Sequence, residues 1–354
     1  MQHFKKIRNL VFTSLQTGNV IAISLAISAL LIWAVGENPL NVAKIFIVGA
    51  FGTPYDFGLS VAASIPLIFT GLSIALGLKS KLINIGAEGQ LTVAALAAAV
   101  AGAFGPADVM LNRALGLTAA AVAGWAWGAV LGYLRAYRQS HEVVAGIMLN
   151  YLAYGLCSWL TLQWLRNPAS QSPETVPLAD TARIAPFEWF QGANIGWQIL
   201  LPLITIVAFW LIFRWTRIGF NIDASGENPG AASFSGVNAR QQIFRTLSWA
   251  GLIAGLVGFT EVYGNSGRFI VGFSPGYGFT GIAVALLGRK NPFGVMIAAL
   301  LFGALYKGSL DLDFETELIT REFVIILQAV LVLLISCKFN SIYKWLLPRR
   351  WARG

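Results

Sequence analysis

The stretch Lys79 to Val100, KSKLINIGAEGQLTVAALAAAV, places an asparagine, a glutamate, a glutamine and two glycines at the head of an apolar run long enough to cross a bilayer. A carboxylate inside such a run costs about 2.5–3.5 kcal/mol on insertion scales, so Glu88 must face protein or water. Asn84 and Glu88 share one face if the stretch is helical, while Gly86 and Gly89 make it easy to unwind. Two uses stay open. Either Asn84, Glu88 and Gln90 line a polar cavity and offer hydrogen bonds to a solute, or they cap a broken helix and tie neighbouring helices together. Asn150 in HEVVAGIMLNYLAYG poses the same choice between a pathway contact and an interhelical hydrogen bond. Glu261, beside Tyr263 and Asn265, reads as a solvated residue at the outer end of a span.

These groups form hydrogen bonds; nothing among them suggests bond-breaking chemistry. No nucleophile, base and orienting group assemble from motifs, and the only histidines are His3 and His141. Cys157 and Cys337 fall in apolar runs and read as packing residues, with no metal-ligand spacing and no disulfide framework.

Composition explains why such residues need special positioning. With 56% hydrophobic and 12% charged residues and a mean hydropathy of +0.66, the chain is an all-α integral membrane protein. About ten spans are predicted, at 19–36, 58–78, 82–105, 114–134, 143–165, 197–213, 246–264, 270–288, 292–308 and 322–337. An even number puts both termini on one side. Of the 25 Lys and Arg residues, only Lys44, Arg113, Arg166, Arg183, Arg268, Lys307 and Arg321 fall outside, which assigns both termini to the cytoplasm. Glu174, Asp180, Glu188, Asp311, Asp313, Glu315 and Glu317 are expected on outer loops. The net charge of +9 then belongs to the inner lipid headgroup surface, and no nucleic-acid partner is needed to explain it. The basic start HFKKIRNL followed by a full-length apolar run reads as an anchor helix, not a removed signal.

The chain reads as one transmembrane domain, 1–354, with an outer loop at 166–196 and an inner loop at 214–245. The outer loop, rich in Pro, Ser and Asn, suits an ordered cap or a plain surface loop. Gly124, Gly128 and Gly132 recur every four residues, as do Gly251 and Gly255, a pattern that permits close helix packing. NIGAEGQ and GFSPGYGFTGIAVALLG (272–288) both look like discontinuous helices, one in each half of the chain, as an internal pseudo-repeat would require. In the inner loop, Pro229 followed by Gly230, Ala231, Ala232 and then Gly236 suits a short helix able to dock a partner.

Four ordered stretches carry a resemblance over nearly the whole chain: NIGAEGQ at 84–90, HEVVAGIMLNYLA at 141–153, TRIGFNIDASGENPGAASFSGV at 216–237 and GFTGIAVALLGRKNPFGVMIAALLFGAL at 278–305. The chain resembles permease subunits of ABC importers in the branched-chain amino acid, ribose and nucleoside group, especially the nucleoside branch. The resemblance implies a non-catalytic permease of the bacterial plasma (inner) membrane that binds no cofactor, with ATP and magnesium used by a separate ATPase subunit. It also implies a second permease, homologous or identical, an extracytoplasmic solute-binding protein and a nucleoside-like solute. By that resemblance Asn84, Glu88, Gln90 and Asn150 line the pathway, with Tyr277 and Phe279 available for base stacking. Asp223, Glu227, Asn228, Pro229, Ala231, Ala232 and Gly236 fall in the coupling segment that meets the ATPase. Where relatives commonly carry Arg, this chain has Asp223 and Ser233, so the docking face differs in charge. The alternatives are an ion-coupled secondary transporter, which would leave the coupling segment unexplained, and an ABC permease for a simple sugar.

Overall fold

The computed structural model describes residues 23, 25–180, 182–316, 318 and 321–336. The termini, with His3 and Cys337, lie outside the described residues, as does Glu317. The helices are α1 (Leu25–Val35), α2 (Pro39–Phe51), α3 (Pro54–Lys79), α4 (Ala87–Phe104), α5 (Val109–Arg138), α6 (Glu142–Trp164), α7 (Leu200–Trp215), α8 (Arg217–Glu227), α9 (Pro229–Phe234), α10 (Ala239–Glu261), α11 (Tyr277–Leu287), α12 (Pro292–Glu315) and α13 (Arg321–Ser336). Two compact units emerge, Thr53–Ala304 and a smaller one made of the chain before Thr53 and after Ala304.

Among the described residues seven helices are long and apolar enough to cross a membrane, and α1 with α2, bent by 114°, makes an eighth if the pair is one span. Of the ten expected spans, 19–36 and 322–337 run into residues outside the described ones, and 270–288 and 82–105 differ for local reasons. The run 270–288 holds only the 11-residue α11, roughly 16 Å of helix and about half a bilayer. Exposed Pro275, together with Gly272 (φ +78°) and Gly276 (φ +93°), keeps the preceding residues out of the helix. The span expected at 82–105 begins only at Ala87, so Asn84 sits outside it. Lys81 takes a left-handed conformation (φ +56°), and Leu82 N–H turns back to the Gly77 carbonyl at 3.0 Å, which reverses the chain before α4 can start. Helix α2, with Asn38 as its N-cap and Pro39 at its first position, was not anticipated.

In the larger unit the glycine stripes do what their spacing predicts. Gly124 and Gly128 of α5 lie against Gly251 and Gly255 of α10, so closely that a Cβ on Gly124 would stand 2.5 Å from the Gly251 carbonyl oxygen. Lipid tails are as apolar as the helices, so this contact draws on van der Waals packing and not on hydrophobic transfer. Helices α3 and α4 are the most enclosed, and α5, α6 and α7 present broad apolar faces outward.

The outer loop is an ordered cap. Leu178, Ala182 and Ile184 pack with α4 residues Ala95 and Ala99 and with Phe259 and Tyr263. Arg268 donates to Glu174 at 2.6 Å. Burial pushes the Glu174 carboxyl up, but hydrogen bonds from Ser170, Arg268 and Asn167, with the Arg268 charge, outweigh it and hold the group below its usual range.

In the smaller unit Ile32, Val42, Leu312 and Val324 form the core. Asp311, Asp313 and Glu315 correct the loop expectation, since all three lie in α12. Lys307 Nζ is bound by both Asp311 carboxylate oxygens at 2.8 and 2.7 Å across one helical turn, which lets the charges continue the helix.

Candidate functional site

The site begins with two helices whose N-cap residues are glycines. The N-cap positions of α4 and α11 are Gly86 and Gly276, neither of which has a side chain to accept from the first free backbone N–H groups. Ser274 Oγ accepts from the Gly276 and Tyr277 N–H groups at 3.3 and 3.1 Å, and the next free groups of both helices are held from elsewhere in the chain. Asn150 of α6 accepts from Gly89 N–H at 2.8 Å, and its amide donates to the Ile85 carbonyl at 2.9 Å, so one side chain holds both sides of the break. Glu88, in the first turn of α4, accepts from Gly278 N–H at 2.5 Å and so caps α11 with a carboxyl oxygen at the positive end of that helix. The start of α4 therefore meets the start of α11, as paired discontinuous helices require.

The remaining polar groups brace the break. Asn84 and Gln90 exchange hydrogen bonds, Asn84 donating at 2.8 Å and Gln90 returning at 3.1 Å. Asn84 also donates to Ser73 Oγ at 2.9 Å, and Ser73 donates to the Ala250 carbonyl at 2.7 Å. Asn84, Glu88 and Gln90 are fully buried, and Asn150 nearly so. Asn84 pairs with Gln90 and not, as a continuous helix would suggest, on a face with Glu88. Glu88 Oε1 is buried, with Tyr154 of α6 facing the same carboxylate. The Tyr154 hydroxyl is a donor for that carboxylate.

Glycine is required at the two contacts. A Cβ on Gly278 would stand 2.6 Å from Glu88 N and 2.7 Å from Glu88 Oε2, and one on Gly89 would stand 2.9 Å from Asn150 Oδ1. The aromatic pair is separated by the fold. Tyr277 packs on Ile65, Phe69, Leu91 and Val257, while Phe279, two residues on, is half exposed.

The inner loop folds into α8 and α9. Asn228 caps α9 by accepting from Ala231 N–H at 3.1 Å, Pro229 takes the first position, and the chain leaves through Gly236 at φ +81°. Ala232 is buried, whereas Pro229, Ala231 and Gly236 are exposed and Phe234 is 95% exposed. Asp223 is held within the chain, 3.3 Å from Lys79 Nζ, which also sits 4.3 Å from the Phe213 ring centroid. Glu227 lies 3.9 Å from Lys81 Nζ, and Lys81 donates to the Glu227 carbonyl at 3.2 Å. Gly226 packs directly on the Lys79 carbonyl and Ser80. A chain of contacts thus runs from α8 to residues 79–81 and on through the break to Glu88. Sequence reasoning missed Ser73, Lys79, Lys81, Tyr154 and Phe234. Phe234, the one large apolar side chain in a helix of small residues, was the signal available.

Comparison with known proteins bears on what this arrangement serves. The guanosine ABC transporter permease protein of Bacillus subtilis is 31% identical over 90% of this chain and 92% of its own length. The nucleoside ABC transporter permease protein of Lactococcus lactis is 30% identical over 93% of this chain and 92% of its own. The glucose ABC transporter permease protein of Haloferax volcanii is 29% identical over 91% and 87%. A family model matches residues 57–336, from the first turn of α3 to the end of α13, and the chain belongs to the branched-chain amino acid transport system permease component family.

Proposed function

We propose that this chain is the permease subunit of an ATP-driven importer that carries a nucleoside or nucleoside-like solute across the plasma (inner) membrane into the cytoplasm. It is the non-catalytic component of such a system, working in the bilayer with an ATPase subunit and a solute-binding protein. The observation that carries the reading is the cross-capping of α4 and α11 by Asn150 and Glu88, joined through Lys79 and Lys81 to α8, which leads into the exposed helix α9. Two helix ends held by side chains from other segments are held reversibly. Movement of α9 by the ATPase pulls on α8, shifts residues 79–81 and turns the start of α4, so that Glu88 releases Gly278 and the helix ends part.

In this reading Asn84, Gln90 and Asn150 keep the break rigid in the closed state, and Glu88 Oε1 offers an acceptor to hydroxyl and N–H donors as the pathway opens. A nucleoside supplies such donors without a net charge. Tyr277 and Phe279 lie close enough in sequence to follow α11 as it moves, giving a base a ring to stack on. The nucleoside assignment draws on the guanosine and nucleoside permeases among the relatives. The glucose permease keeps a sugar as the second reading. The chain pairs with a second permease, homologous or identical, and ATP and magnesium act on the ATPase. The test is ATPase activity of the reconstituted assembly with its binding protein across nucleosides, sugars and amino acids. Stimulation by nucleosides alone supports the proposal, and stimulation by sugars alone overturns the nucleoside part.

A further inference from the structure

A cavity of about 600 Å³ opens between the last turns of α3 and α7, α8 and the turn joining α11 to α12. Its cations are Lys79, Arg214, Arg289 and Lys290, against the two carboxylates of Asp223 and Glu227, so the cavity is net positive. All four cations belong to the set that charge asymmetry assigns to the cytoplasmic side. Arg289 and Lys290 are consecutive and both left-handed, at φ +52° and +60°. Side chains rarely adopt that conformation twice in succession, and here it brings both cations to the cavity wall. Lys290 is fixed there by donating to the Leu78 carbonyl at 2.9 Å. Among the described residues no carboxylate pairs with Arg214, whose guanidinium lies 5.3 Å from the Trp215 ring centroid. The opposite wall is aromatic, with Trp210 and Phe213. Nearer its start, α7 exposes the apolar side chains Leu203, Ile204, Val207 and Leu211.

We propose that this cavity seats the phosphate headgroup of an anionic phospholipid of the inner leaflet, with its acyl chains along the outward face of α7. Excess cationic charge at headgroup depth selects a phosphate without a compensating cation of its own. A lipid suits this place better than a free anion, because the helix whose last turn lines the cavity also exposes apolar side chains that acyl chains can cover.

The experiment is native mass spectrometry of the delipidated full-length permease titrated with phosphatidylglycerol and with phosphatidylcholine. The expected result is a retained phosphatidylglycerol with no equivalent phosphatidylcholine. Arg214→Gln should weaken that retention about five-fold, and Arg214→Gln with Lys290→Gln by on the order of 25-fold, each charge contributing about equally. Arg138→Gln, a cation at the end of α5 outside the cavity, should leave retention unchanged. Arg214 pairs with no carboxylate among the described residues, so the single variant keeps the test valid if the double variant does not fold. Equal retention of the two lipids overturns the proposal. So does a phosphatidylglycerol preference indifferent to Arg214→Gln, or displacement of the lipid by millimolar inorganic phosphate, which would identify a free-anion site.

Discussion

Replacing Asn150 with alanine tests the cap most directly. The substitution leaves Gly89 N–H and the Ile85 carbonyl, both interior groups on either side of the α3–α4 break, without their partner. In a soluble core each abandoned buried group costs about 1–3 kcal/mol. Within membrane domains interhelical hydrogen bonds average about 0.6 kcal/mol and reach about 1.7, because freed groups find other partners. Two such bonds put the loss at roughly 1–3 kcal/mol, which at about 2–4 °C per kcal/mol lowers the unfolding temperature by about 2–12 °C. The assay is thermal unfolding of the permease in lipid nanodiscs, with solute-stimulated ATPase activity of the assembly in parallel. Tyr151→Ala is the control, because that neighbour is 68% exposed and its loss should fall within about 0.5 kcal/mol. The reasoning predicts lower stability and weaker coupling for Asn150→Ala. If it unfolds with the wild type and couples normally, Asn150 does not hold the break and the cross-capping account fails.

Asp223→Arg sets two cations against each other beside Phe213 and should reduce stimulated ATPase activity with little loss of stability, since the Lys79 pair is partly exposed. Adding Lys79→Asp should restore activity; a double variant as poor as the single one would show that the pair does not transmit the signal. Phe234→Ala should leave the unfolding temperature unchanged and weaken ATPase-subunit binding at least ten-fold, as loss of an aromatic anchor does; unchanged binding in a pull-down titration would remove Phe234 from the interface. Gly278→Ala should abolish transport while helix content by circular dichroism persists, because the added Cβ displaces Glu88 from its cap; full transport would refute the required close approach. Glu174 has a depressed pKa, so its ion pair with Arg268 contributes fully above the ordinary value of 4.5 and fades as pH falls through the lower folded value. The gap in unfolding temperature between wild type and Glu174→Gln should therefore narrow between pH 6 and pH 3, and a constant gap would contradict the assignment.

The features legible beforehand were those set by local chemistry. Pro229 and Gly236 bounded α9, the glycine stripes announced the α5–α10 contact, and the glycines of NIGAEGQ and GFSPGYG marked two breaks. Boundaries failed where a local preference was overridden. Asn84 looked helical by hydropathy, yet the left-handed Lys81 turned the chain before it, and Asp311 looked like a loop residue until Lys307 neutralised it one turn away. Among site residues, Glu88 was conspicuous as a buried carboxylate, but nothing in its neighbourhood of sequence pointed to Gly278, 190 residues on.

By itself the sequence determined the membrane class, the discontinuous helices and the family, because apolar run length, glycine spacing and motif order are properties of the chain read in one dimension. Only the tertiary structure decided that Asn150 and Glu88 cap helices other than their own, that Asp223 is held by Lys79, and that four scattered cations surround one cavity. The reason is that an uncapped helix end needs a partner of the right kind, which many buried polar residues satisfy equally well; packing the helices selects which one arrives.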